Sequence, residues 1–296
     1  MKNTIFKGVG TALVTPFTET GAVDYEAFEK LLDYQLAGGV DAFIVCATTG
    51  EAPTLEDDEH IEAIKFVVDF TKGRIPVIAG TGSNNTDHAV MMSKRAEKAG
   101  ADALLCVTPY YNKCTQGGLV ASYTKIADST GLPMLVYNVP SRTGVNIKPD
   151  TYQKLGEHPR IVGIKEANGD ISSVVETMSK CSDTLDLYSG NDDQIIPLMC
   201  MGGVGVISVL SNILPKETKE MTTKFFEGDV KGAAQMQMHY KALIDALFCE
   251  VNPIPAKAAL SAMGIIKNCV RLPLTPMESA NYEKLVALMR KEGLAV

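Results

Sequence analysis

Apolar residues along this chain fall into two kinds of run that alternate. One kind is short, rich in β-branched residues, and ends in Gly, Thr, Asn or Pro. These runs are GVGTALVTPF (8–17), DAFIVCATTG (41–50), IPVIAGTG (75–82), DALLCVTPYY (102–111), PMLVYNVP (133–140), IVGIKEA (161–167), LDLYSGND (185–192) and GVGVISVLSN (203–212). Apolar and polar residues do not alternate within them, which is the pattern of strands covered on both faces, as in a parallel sheet. The other kind has helical spacing. Phe28, Leu31, Leu32 and Leu36 lie on one helical face, and Gly38 and Gly39 supply a stop. Thr54 and Asp57 have the spacing of a capping box ahead of an Ile61, Ile64, Val67, Val68 stripe that ends at Gly73. The segment 86–102 behaves in the same way.

Strand and helix in alternation predict βαβ units and a parallel sheet. Eight such units in about 230 residues match an α/β fold of the (β/α)8 TIM-barrel type. A doubly wound sheet is the alternative, but GTGSNN (80–85) and GVGVIS (203–208) both lack the third glycine of its phosphate-binding turn. After about residue 228 the strand signals stop. The stretches 229–250, 254–266 and 276–293 read as three helices. The expected division is therefore a catalytic barrel over 1–228 and a C-terminal α-helical region over 229–296, packed on the barrel or on another subunit.

Charge narrows the partners. With 35 acidic against 28 basic side chains and a net charge of −7, the chain is a poor match for nucleic acid or an anionic membrane surface. No run approaches the ~18 apolar residues that span a bilayer. The N-terminus has no apolar core of a secretory leader, so a cytoplasmic location is expected. The seven cysteines show no C-x-x-C pair, and His60, His88, His158 and His239 form no ligand cluster. Neither a metal nor a cofactor is expected.

In such a barrel the chemistry lies at the C-terminal ends of the strands. This chain places Thr48-Thr49-Gly50-Glu51, Tyr110-Tyr111-Asn112, Tyr137-Asn138, Lys165-Glu166 and Gly190-Asn191-Asp192-Asp193 there, with Arg142 just beyond the fifth run. Lys165 closes an apolar run. A lysine walled by apolar groups loses solvation of its ammonium form, and the neutral amine can form a Schiff base with a carbonyl. The plainer reading is an ion pair with Glu166, although strand neighbours point to opposite faces. Tyr137 is either a proton-transfer phenol or core packing. Thr48-Thr49-Gly50 is either a carboxylate cradle or only a turn. Arg142 is either a carboxylate clamp or an ordinary loop ion pair. The seventh and eighth loops, SGNDDQ and VLSNILP, carry two Asp and no Lys, which disfavours a phosphorylated substrate.

Taken together, TTGE (48–51), GTGSN (80–84), TPYYNK (108–113), YNVPSRTG (137–144), GIKEANGD (163–170), SGND (189–192) and NPIPAK (252–257) resemble the pyruvate-dependent class I aldolase family of dihydrodipicolinate synthase and N-acetylneuraminate lyase. The resemblance runs over the whole chain. It implies a (β/α)8 barrel with a C-terminal helical region, no cofactor, and a homo-oligomer, a tetramer built as a dimer of dimers. It implies Lys165 as the Schiff-base lysine for pyruvate and Tyr137 as the central proton-transfer phenol. Thr48 and Tyr111 would complete the relay, Tyr111 from a neighbouring subunit. Thr49, Gly190 and Ile207 would hold pyruvate. Arg142 favours the synthase branch, which condenses pyruvate with L-aspartate 4-semialdehyde to 4-hydroxy-tetrahydrodipicolinate on the way to diaminopimelate and lysine. The alternative is a sugar-acid lyase of the same family. Asn84, Tyr110 and His60 fit the lysine-binding cleft of inhibited members. Ala52, Pro53, Asp57 and His88 depart from it, so weak or absent feedback by lysine is expected. Ala47 also departs from the family's usual glycine.

Overall fold

The computed structural model describes residues 4–296, so the first three residues of the segment read for a leader lie outside the described residues. Eight parallel strands, β1 (Gly8–Ala12), β2 (Ala42–Val45), β3 (Val77–Gly80), β4 (Ala103–Val107), β5 (Met134–Asn138), β6 (Ile161–Glu166), β7 (Asp186–Ser189) and β8 (Gly205–Ser208), pair in chain order. The barrel closes where Val9 of β1 lies opposite Val206 of β8. Each expected apolar run holds one strand. The strands are shorter than the runs because the last residues of each run form the strand-to-helix loop, and those loops carry the polar groups that matter. A doubly wound sheet is excluded by the closure.

Two apolar layers follow from strands buried on both faces. Ile44, Ile78, Leu105, Leu135 and Ile207 fill the barrel interior, while Phe43, Val77, Leu104, Val136 and Ile164 face the surrounding helices. Space inside is tight. A Cβ on Gly10 would stand 2.6 Å from Ile44 Cδ1 and 2.7 Å from Phe6 Cζ, so a larger residue there would have to displace both side chains.

The helices depart from the sequence pattern in instructive ways. Helix Tyr25–Ala37 buries Phe28, Leu31 and Leu32 as expected, but Gln35 is fully buried where Leu36 was expected, and Leu36 is only partly covered. The Gln35 amide is satisfied: Thr11 Oγ1 donates to its Oε1 at 2.8 Å, and its Nε2 donates to the Asn212 carbonyl at 3.0 Å. The capping box is not formed. Glu56 precedes helix Asp57–Thr71 with no side-chain cap, and Thr54 sits in the 3-10 turn Ala52–Thr54, donating to the Glu51 carbonyl at 3.0 Å. Pro53 favours that tighter turn and delays the helix. The buried stripe becomes His60, Ala63, Ile64, Val67 and Thr71, with Ile61 and Val68 at its margin.

Beyond helix Pro215–Phe226 the chain is helical: Val230–His239, Lys241–Leu247, Ile254–Ala262 and Ser279–Lys291. The first expected stretch is thus two helices that meet at Tyr240. This tail reaches the C-terminal mouth of the barrel, where Asn252 meets Thr49 and Lys257 meets Glu51. Among the described residues no helix is long and apolar enough to cross a membrane.

Candidate active site

Strand register sets the level at which side chains point inward. Tyr137 on β5, Lys165 on β6 and Tyr188 on β7 are Cα partners across the sheet, so all three point into the barrel. Their neighbours Asn138, Glu166 and Ser189 point outward. Lys165 and Glu166 therefore lie on opposite faces, and the ion-pair reading of Lys165 is excluded. Glu166 has its own partners. Tyr152 Oη donates to Oε2 at 2.8 Å, and Asn138 Nδ2 and the Asn168 amide each donate to Oε1 at 2.9 Å. Burial still outweighs these bonds and pushes the Glu166 carboxyl up to about 7.

Lys165 is 4% exposed, and its Nζ lies 4.2 Å from the centroid of the Tyr137 ring. Burial pushes its ammonium down to about 7. The Asp192 carboxylate acts in the opposite sense, and the Arg142 guanidinium adds to the lowering. A substantial share of Lys165 is thus a neutral amine at neutral pH. Burial raises the Tyr137 phenol, while the charge of Arg142 and a hydrogen bond with Thr48 pull it part of the way back. The phenol is consequently protonated at neutral pH and able to give its proton away.

The loop after β2 is built by short bonds. The Gly50 amide donates to Ala47 O and the Glu51 amide to Thr48 O, each at 3.1 Å, and Thr15 Oγ1 donates to Gly50 O at 2.7 Å. Buried Thr49 accepts from Asn252 Nδ2 at 3.0 Å. Arg142 sits at the mouth on the short helix Pro140–Thr143, and its Nη2 donates to the Asn252 carbonyl at 3.0 Å. Among the described residues it forms no ion pair, so the loop salt bridge is not its role. A cavity of about 590 Å³ opens over this level and is lined by Ala47, Thr48, Tyr137, Arg142 and Asn252. Lys165 lies just behind that lining, against the Tyr137 ring. Gly190 ends β7. A Cβ there would meet Ala167 Cβ at 2.9 Å and Glu166 O at 3.0 Å, so glycine lets β7 close on β6 beside the lysine. Ile207 shares the interior cluster with Tyr137.

Tyr111 is not brought to this site within the chain. It is 91% exposed, on a left-handed backbone turn with φ of 69°. Tyr110 lines the cavity instead, as does His60, whose Nε2 is 2.8 Å from the Gly80 carbonyl and whose imidazolium is disfavoured by burial. Asn84 lies outside the lining and uses its carbonyl to accept from Asn112 Nδ2 at 3.0 Å.

Sequence reasoning missed a second buried lysine. Lys257, with no exposed surface, pairs with Glu51 across 206 residues, donates to Cys269 O at 2.7 Å, and lies 3.9 Å from the Phe17 ring centroid. Glu51 Oε2 accepts from the Arg271 amide at 3.0 Å, and Arg271 forks onto Glu59 at 2.7 and 2.6 Å. This ion cluster pins Glu51, which holds a left-handed φ of 54°, at the end of the TTGE turn. The signal was present: Lys257 interrupts the apolar IPAKAALSA helix as Lys165 interrupts its strand. Asp192 was also missed as a partner. Its Oδ2 accepts from the Val209 and Leu210 amides, each at 2.9 Å, and fixes the loop after β8.

The fold and site define a (β/α)8 barrel protein with a desolvated amine and a phenol in contact at the strand ends. The chain belongs to the dihydrodipicolinate synthetase family, whose model matches residues 5–292. A 4-hydroxy-tetrahydrodipicolinate synthase of Alkaliphilus oremlandii is 53% identical over 290 residues, covering 98% of this chain and 100% of that one. Its counterpart in Lachnoclostridium phytofermentans is 52% identical over 291 residues, covering 98% and 99%. The crystal structure of dihydrodipicolinate synthase from Thermotoga maritima superposes with a TM-score of 0.96 at 45% identity, covering 98% and 100%.

Proposed function

We propose that this chain is a lyase that condenses pyruvate with L-aspartate 4-semialdehyde to give 4-hydroxy-tetrahydrodipicolinate, feeding diaminopimelate and lysine biosynthesis. The observation that carries the mechanism is Lys165, buried, displaced to about 7, and in contact with the Tyr137 ring. Full-length identity to synthases supports the choice of substrates.

The neutral Lys165 amine attacks the C2 carbonyl of pyruvate. Tyr137 passes a proton to the carbinolamine oxygen, which leaves as water, and a protonated imine remains. The imine draws electrons from C3, whose proton returns to the Tyr137 phenolate, with Thr48, bonded to the phenol, relaying it, and an enamine remains. The enamine C3 attacks the aldehyde carbon of the second substrate, a carbon–carbon bond forms, and the aldehyde oxygen takes a proton to become the hydroxyl. The amine of the second substrate then adds to the imine carbon, closes the ring and releases Lys165. Thr49, Gly190 and Ile207 hold pyruvate, and Arg142 holds the carboxylate of the semialdehyde through its fork.

The exposure of Tyr111 supports its supply to the relay by a neighbouring copy. The relay therefore needs a homo-oligomer, which we take to be a tetramer built as a dimer of dimers, located in the cytoplasm. The barrel (1–228) carries the chemistry, and the helical region (229–296) braces its mouth.

The test is turnover of the purified protein with pyruvate and each of three aldehydes: aspartate semialdehyde, N-acetylmannosamine and glyceraldehyde. Turnover with aspartate semialdehyde alone is expected. Turnover with a sugar aldehyde instead would keep the role of Lys165 and move the chain to the sugar-acid lyases.

A further inference from the structure

Asn252 stands at the junction of both groups assigned to substrate carboxylates. Its Nδ2 donates to Thr49 Oγ1 at 3.0 Å, and its carbonyl accepts from Arg142 Nη2 at 3.0 Å. Thr49 lies on the loop after β2 and Arg142 on the short helix after β5. The residue that joins them comes from the C-terminal tail, is 7% exposed and lines the cavity. A hydroxyl has one hydrogen to give and two lone pairs. By accepting from Asn252, Thr49 keeps its hydrogen uncommitted. The reverse arrangement, with Asn252 Oδ1 accepting from Thr49, would use that hydrogen. In the arrangement present, Oδ1 is buried and accepts no hydrogen bond within the chain, and Nδ2 makes the amide's bond to Thr49.

We propose that Asn252 is a positioning residue for the synthase reaction: its side-chain amide orients the Thr49 hydroxyl to donate to the pyruvate carboxylate, while its backbone carbonyl sets Arg142 for the carboxylate of the second substrate. This rests on the roles given above to Thr49 and Arg142. The two functions separate by chemistry. Substitution removes the side-chain bond and leaves the backbone carbonyl in place. Loss of Asn252's amide therefore weakens pyruvate binding and spares the aldehyde.

The experiment measures KM for each substrate, kcat, and the pyruvate concentration that half-saturates cyanoborohydride trapping, in wild type, Asn252→Ala and Asn252→Asp. Asn252→Ala is expected to raise the pyruvate KM and the trapping half-saturation about tenfold, the size of one hydrogen bond to a charged group. The KM for aspartate semialdehyde should stay within about twofold of wild type, being set by the retained carbonyl. Asn252→Asp can only accept from Thr49, so it takes the hydroxyl hydrogen and adds a negative charge. Its pyruvate KM should exceed that of Asn252→Ala. A merely structural role predicts a lower melting temperature with both KM values unchanged. That result, or equal changes in both KM values, would overturn the proposal. Wild-type protein that traps no pyruvate would overturn the proposed function and this inference together. Trapping at wild-type half-saturation in a folded Asn252→Asp variant would overturn this inference alone.

Discussion

The displaced titration of Lys165 predicts a curve with a definite shape. At a pKa of about 7, roughly one-tenth of the amine is neutral at pH 6 and about nine-tenths at pH 8. At subsaturating pyruvate, the rate of Schiff-base formation should therefore rise about tenfold over that interval and then level off. A lysine at the ordinary value of 10.5 would instead rise about a hundredfold between pH 6 and 8 and still be climbing at pH 9. Asp192 provides the perturbation. Its carboxylate favours the ammonium of Lys165, so Asp192→Asn should move the midpoint down by about one pH unit. The assay is cyanoborohydride trapping of labelled pyruvate, read as mass gained by the peptide that contains Lys165. A midpoint near 10, or an unmoved midpoint in a folded Asp192→Asn variant, would refute the reasoning. The same displacement has a stability consequence with a fixed sign. Between about pH 7 and pH 10.5 the unfolded chain carries a proton on Lys165 that the folded chain lacks. Stability from this group thus rises with pH across that window and is reduced below it. Lys165→Met should abolish activity and melt above wild type at pH 7.

Three further outcomes are expected. Glu51→Gln leaves Lys257 buried without its carboxylate and should lower stability by about 3 to 5 kcal/mol in chemical denaturation, with the double variant Glu51→Gln/Lys257→Met recovering most of the loss; an unchanged midpoint in the single variant would count against a stabilising role for the Glu51–Lys257 pair. Glu166 has a folded pKa raised to about 7 from 4.5, so its contribution to stability falls as pH rises from about 4.5 to 7, and Glu166→Gln should flatten that part of the stability–pH curve. His88, one of the residues that depart from the lysine-binding pattern, is already 2.8 Å from Asp57 through its Nε2, so lysine at millimolar concentration should inhibit turnover weakly or not at all; steady-state rates with added lysine decide it, and potent inhibition would refute the reading.

Much of the barrel was legible because each of its strands is buried on both faces. A run that must be apolar on both sides announces itself without knowledge of its neighbours, and the eight runs needed only closure to become a barrel. Lys165 was legible for the same reason, as a charge at the end of such a run. The interrupted capping box and Gln35 were not legible, because each is decided by a partner outside its helix: the tight turn at Pro53 in one case, Thr11 and Asn212 in the other.

The two buried lysines show where sequence ends. Lys165 and Lys257 carry the same local signal, a cation in an apolar element, and local pattern alone does not distinguish reagent from strut. Tertiary structure decides it by bringing Glu51 to Lys257 across 206 residues, while the carboxylate next to Lys165 in sequence is turned to the opposite face of the sheet by strand geometry. Asn252 is the same case at the level of the site. It sits in a recognisable motif, but its work depends on meeting Thr49 and Arg142, 203 and 110 residues away. Sequence by itself determined the apolar runs that become the barrel strands, because a strand covered on both faces is apolar throughout. Which buried charge is left to react, and what holds its neighbours in place, was decided only by contacts made after the barrel closed and the tail folded over its mouth.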